Sequence, residues 1–393
     1  MTTKYLMRLG TAAIAAGMLL LSGCQQQYTP LDGIAYIAQT EMQGNTGQSV
    51  IVGLEDVSTT LNVRLSNPIS EEVTLECIVD DTVLAEYNEA HTTSLEALPQ
   101  GQFVLDTKEV KIAQGSVVSA PINITIKAPT QEMKDSGKKY AIGLRIAKKS
   151  GAVTLLDGAD KIVVLVAQQA IQDVVQFGSR SNIVLNLAEE HALKTWTVEF
   201  MVNMDILGKR MGQYNNQALF GFWGSGIEEN GVRHSGEIYT RFGDAPIEGN
   251  RFQVKTKGTQ MNSNMLFNEN TWYHIALVCN NTKLSLYVNG DLDNEMDLPD
   301  EVVWIAKEGY LGNEDYLRAN PMMAQVRLWN VARTQNQIKE NMATIDPSSQ
   351  GLIAYWRFNE GKGNTFKDAT GKNPDAGVKA GGNVVWIPDV KLN

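Results

Sequence analysis

The chemistry most worth following sits in two short stretches. In the first, Trp223 closes the apolar run Gly221-Phe-Trp immediately before Gly224-Ser-Gly226, where a large ring has little reason to be buried. The second is Glu237-Ile-Tyr-Thr-Arg-Phe242. On a strand it places Ile238 and Phe242 on one face and Glu237, Tyr239 and Arg241 on the other. Sugar rings present C–H faces that stack on aromatic rings, and hydroxyls that pair with planar polar groups. Trp223, Tyr239 and Arg241 are therefore the candidate residues of a shallow carbohydrate site on an open sheet face. Trp304, Tyr310 and Tyr316 are further aromatics near the loop edge, whereas Trp196, Phe200, Trp272, Trp329 and Trp356 read as core.

Other chemistries find no foothold. Glycoside hydrolysis needs two carboxylates about 5–5.5 Å or roughly 6.5–9.5 Å apart. The nearest run, Glu295-Met-Asp-Leu-Pro-Asp300, contains Pro299, which would interrupt a central strand, and reads as a solvated edge and loop. The four histidines, His91, His191, His234 and His274, form no metal-ligand spacing. His274 alternates with Trp272 and Ala276 and reads as a packed structural residue. Cys77 and Cys279 lie in separate apolar runs and read as buried free thiols. No nucleophile elbow or phosphate loop is present.

The elements that must position these residues are strands. Thr60–Ser66, Val73–Cys77, Ile122–Lys127 and Tyr140–Ile146 alternate apolar and polar residues, the mark of a half-buried antiparallel sheet. One short helix, Thr82–His91, interrupts them, with Val83 and Tyr87 one turn apart. Farther on, Thr195–Val202 alternates and Trp272–Asn280 is a long apolar strand. Lys283-Leu-Ser-Leu-Tyr-Val-Asn-Gly290 ends in the strongest short hairpin signal. Thr334 and Gln337 form a capping box for a helix that Ile338 and Met342 would dock on the sheet. Segment 167–180 reads as a stiff linker. The predicted fold is all-β, with a β-sandwich of immunoglobulin-like type at 34–170 and a second β domain at 177–393.

The N-terminus sets the compartment. A basic region (Lys4, Arg8), an apolar run from Leu9 to Leu21 too short to span a bilayer, and Leu19-Leu-Leu-Ser-Gly-Cys24 resemble a bacterial lipoprotein signal. That resemblance implies cleavage of residues 1–23, lipidation of Cys24, a tether over 24–33, an outer-membrane lipid anchor and exposure at the cell surface. Without Lys4 and Arg8 the mature chain of about 370 residues has 32 basic against 44 acidic residues, a net charge of −12. That balance argues against nucleic acid as a partner, since phosphates demand a basic patch. It also argues against charge-driven binding to an anionic bilayer.

Two family resemblances follow from longer motifs. Val83–His91, Leu98-Pro-Gln-Gly-Gln-Phe-Val-Leu105, Val110–Ser116 and Lys139–Leu144 occur in an order similar to the N-terminal domain of many Bacteroidota surface lipoproteins, with Leu95 in place of a tyrosine. It implies a spacer or binding module. "TWTVEFMV", "TWYHIALVCNNTKLSLYVNGD", "GYLGN", "AQVRLWNVARTQNQI" and "GLIAYWRFNEGKGNTFKDATGKN" resemble a laminin-G-like, concanavalin A-like jelly roll. That implies two packed antiparallel sheets, and calcium in many members. Ala324-Gln325 replaces the family's acidic pair, but Asn313, Glu314 and Asp315 form an oxygen-rich loop that either ligates calcium or is a solvated turn. Asp368 resembles the carboxylate of a terminal turn.

The expected function is non-catalytic capture of a glycan or glycoprotein at the cell surface, beside an outer-membrane glycan importer. The alternatives are an adhesion or protein-binding module and, behind it, a cryptic glycosidase. Cys24→Ala should move the protein from the membrane pellet to the soluble fraction on fractionation; retention in the pellet would contradict lipid anchoring at Cys24.

Overall fold

The computed structural model describes residues 33–392 apart from 41–46, 92, 225–226, 235 and 300–301. Cys24 with its signal, nearly all of the tether, Ser225, Gly226 and Asp300 lie outside the described residues. Among the described residues no helix is long and apolar enough to cross a membrane.

The N-terminal domain is a β-sandwich around a core drawn from Ala35 to Val166. One sheet runs in the order Gly47–Val52, Lys161–Gln168, Tyr140–Ser150, Val73–Val79, Glu109–Ile112. The facing layer has two small sheets, centred on Ile34–Ile37 and Ile122–Ile126. The alternation does its work: Val73, Leu75 and Cys77 are buried, as are Ile122, Ile124 and Ile126. The helix Asp81–His91 buries Val83 and Leu84 on Ala141 and Val163. Three joins are parallel rather than antiparallel, Gly47–Val52 with Lys161–Gln168, Ile34–Ile37 with Thr154–Leu155, and Glu96–Ala97 with Tyr140–Ser150. Alternation fixes which face is buried, not strand direction, so the sequence could not distinguish them.

The C-terminal domain is a jelly roll of two eight-stranded sheets. The first runs Asp291–Asp297, Lys283–Val288, Trp272–Asn280, Thr195–Asn203, Met322–Trp329, Ile171–Gln176, Val385–Lys391, with Leu352–Trp356 also paired to Met322–Trp329. The second runs Thr259–Leu266, Arg251–Thr256, Glu237–Phe242, Gln217–Trp223, Glu308–Leu311, Ile183–Asn186, Ala376–Val378, Thr365–Phe366. Between them Trp196, Phe200, Phe220, Phe222, Phe242, Phe252, Leu277 and Trp356 form one core. Asn289 and Gly290 take positive φ, 51° and 80°, as a two-residue hairpin turn of this kind demands. The Thr334–Gln337 capping box starts the helix Gln335–Glu340, and Ile338 docks on Ala276 and Val278. Met342 falls beyond the helix end.

The segment read as a linker is different in the structure. Ile171–Gln176 is a strand inside the first jelly-roll sheet, between Met322–Trp329 and Val385–Lys391. A register shift between Gln172 and Val174 hides its alternation. Only Gln169 and Ala170 separate it from the last strand of the N-terminal domain, and both are tied down: Gln169 N–H donates to Val52 O, and Ala170 O accepts from Leu392 N–H. The jelly roll therefore begins at Ile171 rather than Phe177. A fragment 171–393 should melt cooperatively, whereas 177–393 leaves Val385–Lys391 without its neighbour and should melt at lower temperature. Equal melting of the two in calorimetry would contradict this boundary.

Candidate functional site

The second jelly-roll sheet turns one face to the core and one outward. Across its outer face, cross-strand register places Gly221 between Tyr310 on one side and Tyr239 on the other. Gly221 has no side chain, so the row has a slot. The Trp223 indole folds back into it: a Cβ built on Gly221 would lie 2.3 Å from the ring. The indole centroid is 5.4 Å from that of Tyr239 and 6.3 Å from that of Tyr310, separations typical of aromatic pairs.

A β-bulge produces this arrangement. Between Ala218 and Gly221 the strand gains one residue against its partner. The Thr240 hydroxyl closes the gap by accepting the Phe220 N–H at 3.0 Å. Phe220 and Phe222 then enter the core while Gly221 and Trp223 face out. Trp223 is 37% exposed, against 0% for Trp196 and Trp356. Tyr239 and Tyr310 are half-buried, and Tyr316 is exposed.

The predicted trio is brought together, but Arg241 differs in role. It shares the outer face with Tyr239, yet is only 6% exposed. Its guanidinium is held by Gln253 Oε1 at 2.7 Å, Asn216 Oδ1 at 2.9 Å and the Asp244 carboxylate. Asn216 Oδ1 also accepts the Tyr239 hydroxyl at 2.9 Å. Arg241 thus stiffens the platform from beneath instead of offering an open cation. Asn216 occupies the left-handed region (φ 58°), which asparagine tolerates better than most residues. Burial pushes the Tyr239 phenol up to about 12. The bond to Glu308 and burial do the same for Tyr310. Both hydroxyls therefore stay protonated over the ordinary pH range. Asn216, Gln253 and Gly221 belong to the site without having been singled out; the Gly between two aromatics in Phe-Gly-Phe-Trp was the available signal.

Two of the proposed calcium ligands have protein partners in the structure. Asn313 Oδ1 accepts the Asp315 N–H at 2.8 Å, and Glu314 pairs with Lys379. Among the described residues no cluster of three or more His, Cys, Asp or Glu is positioned to hold a metal. Glu295 lies on an edge strand, accepting from Ser285 at 2.8 Å and pairing with Lys283 at 3.2 Å. Cys77 and Cys279 are buried and unpaired as disulfides, and burial pushes both thiols up to about 11. Asp368 holds a turn, accepting from the backbone of Thr370, Lys372 and Asn373.

A second polar cluster was not legible in sequence. On the outer face of the first sheet, Glu199 is fully buried, with Arg327 Nη1 at 3.2 Å, Arg333 Nη1 at 2.5 Å and His274 Nε2 at 3.3 Å. Burial pushes the Glu199 carboxyl up, but contact with His274 and the charges of Arg327 and Arg333 hold it at about 2. Burial holds the His274 imidazole below its usual range, against the pull of Glu199. Enclosed in this way, Glu199 has no path to a substrate, and its role is to hold the fold.

Comparison with known proteins fits this geometry. Residues 177–339 match the model of the concanavalin A-like lectin/glucanases superfamily, and residues 27–153 match that of an N-terminal domain family. No curated protein matches the chain. A crystal structure from Bacteroides ovatus, of a protein described as a candidate carbohydrate binder, is 21% identical. It aligns over 91% of this chain and 99% of its own, with a TM-score of 0.62, so the whole two-domain fold is shared. EndoBT-3987 of Bacteroides thetaiotamicron, solved with a Man5GlcNAc product, is 24% identical over 30% of this chain and 28% of its own, with a TM-score of 0.26. A heptameric SAP-like pentraxin of Limulus polyphemus is 12% identical over 53% of this chain and 96% of its own, with a TM-score of 0.35. The chain carries a C-terminal domain of the concanavalin A-like lectin/glucanases superfamily.

The Glu199 cluster makes a pH-dependent prediction. A carboxyl lowered in the folded state stabilises above its ordinary 4.5 and loses that contribution as pH falls toward 2. The neutral His274 loses stability as pH falls below about 6.5, where the unfolded chain takes up the proton first. Glu199→Gln should therefore cost about 3–5 kcal/mol at pH 7. The gap to wild type should narrow in denaturant titrations as pH drops below 4.5. A gap independent of pH would contradict the assignment.

Proposed function

We propose that this chain is a non-catalytic glycan-binding lipoprotein, anchored through Cys24 in the outer membrane and exposed at the cell surface. In this reading it captures a polysaccharide or glycoprotein glycan for an outer-membrane importer. The observation that carries the proposal is the Trp223 indole lying in the Gly221 slot between Tyr239 and Tyr310, part exposed on a sheet face. A flat aromatic surface of this kind suits the C–H face of a pyranose. Glu237, opposite Trp223, and Lys255, opposite Tyr239, stand at its edge and can reach sugar hydroxyls. The platform is shallow, which fits capture of an extended chain better than enclosure of a small reactant. The lectin-like fold supports the reading, as does the description of the Bacteroides ovatus protein as a carbohydrate binder.

Trp223→Ala separates binding from folding. Loss of a stacking aromatic at the centre of a binding surface should weaken glycan affinity roughly ten- to hundredfold. Because the indole is packed on one side only, the melting temperature should fall by much less than for a core tryptophan. Trp196→Ala, in the core, should instead cost about 3–5 kcal/mol. The test is a glycan array followed by titration of the retained oligosaccharides against both variants. Unchanged affinity in Trp223→Ala would refute the platform as the site.

A further inference from the structure

The two domains form a half-open cavity of about 190 Å³ at their junction. Its walls come from the helix Gln131–Ser136 of the first domain, the connecting residues, and the jelly-roll strands Ile171–Gln176 and Met322–Trp329. Six carboxamides line it: Gln131, Gln168, Gln169, Gln172, Gln325 and Asn359. Its charged groups are Lys134 and Arg357 against Asp135, Asp173 and Asp389, a net charge of −1. Arg357 pairs with Asp135 at 3.8 Å, and Asp173 accepts the Asp389 N–H at 3.2 Å.

Two features mark the cavity as a place for a ligand. Gln168 Nε2 and Arg357 Nε are shielded from solvent and have no hydrogen-bond partner among the described protein groups, so an occupant of the cavity can pair with both. Gln325 is a left-handed residue, φ 57°, and only 2% exposed. It sits where Met322–Trp329 bulges against Thr195–Asn203. Its Oε1 accepts from Arg327 at 3.0 Å, and its Nε2 donates to Gln172 Oε1 at 2.6 Å. Strained, over-determined residues of this kind gather at ligand sites.

We propose that this interdomain cavity is a second binding site, for a single neutral monosaccharide unit. Carboxamides both donate and accept, as sugar hydroxyls do, and a lining with a net charge of only −1 and one cation already paired offers little to an anion or a cation. The volume is below the roughly 300–1,000 Å³ of pockets that take drug-sized ligands, so it suits one ring. Because both domains contribute walls, an occupant ties them together. The site is separate from the Trp223 platform and does not depend on it.

The test uses the full chain and free glucose, galactose, mannose and N-acetylglucosamine at millimolar concentration, read by calorimetric titration and melting temperature. At least one sugar should bind saturably and raise the melting temperature of wild type and of Trp223→Ala alike. Ala343→Trp, which fills the cavity wall, should abolish that response. Gln168→Leu removes an amide without a protein partner, so it should leave the sugar-free melting temperature unchanged or higher and weaken binding about tenfold. No saturable response in wild type, as for a cavity that holds only water, would overturn the proposal whatever the variants do. A response lost in Trp223→Ala but kept in Ala343→Trp and Gln168→Leu would overturn it by placing the sugar on the platform.

Discussion

The arrangement depends on one buried carboxylate. Glu199 stands in the central strand of the first jelly-roll sheet and cannot be solvated there. Burying such a charge is unfavourable unless its partners are held in place. Arg327 comes from the next strand and Arg333 from the turn before the Gln335–Glu340 helix. The same guanidiniums also bind carbonyls: Arg327 donates to Asn341 O at 2.7 Å and Met342 O at 3.3 Å, and Arg333 to Gln337 O at 2.9 Å. One anion thus fixes the helix and the loop after it on the sheet.

That loop is where the N-terminal domain docks. Gly137 ends the Gln131–Ser136 helix in the left-handed conformation (φ 66°), and a Cβ there would lie 2.2 Å from the Ile345 backbone. Glycine is required twice over, for its φ and for this approach. Arg357 contacts Asp135, and Lys139 lies 3.8 Å from Glu340. With only Gln169 and Ala170 between strands, the domains meet through a continuous set of contacts from Glu199 outward. The platform on the opposite sheet is built on different physics. There a bulge and a missing side chain set one indole against two phenols, and Arg241 beneath them locks the strand register.

Local rules made most of the fold legible. The Asn289-Gly290 turn, the Thr334 capping box, and the burial of Trp196, Val198 and Phe200 follow from short-range sequence patterns. The outward placement of Tyr239 follows from alternation, and that of Trp223 from its position just before the Gly224-Ser-Gly226 turn. What alternation could not show is what covers a sheet's second face. Glu199 looks like a solvent-facing residue until the helix and loop above it are known. Arg241 was expected to be open because its partners, Asn216, Asp244 and Gln253, come from separate segments. The Ile171–Gln176 strand was hidden by an irregularity in its register, and the junction cavity exists only once the two domains are placed together.

The central claim is that a sugar ring lies on the aromatic platform of the second jelly-roll sheet. The most direct measurement is a crystal structure of the chain with an oligosaccharide chosen for saturable binding. This account predicts a pyranose ring stacked on the Trp223 indole, flanked by Tyr239 and Tyr310. An oligosaccharide bound elsewhere, with the Trp223 face left to solvent, would contradict it.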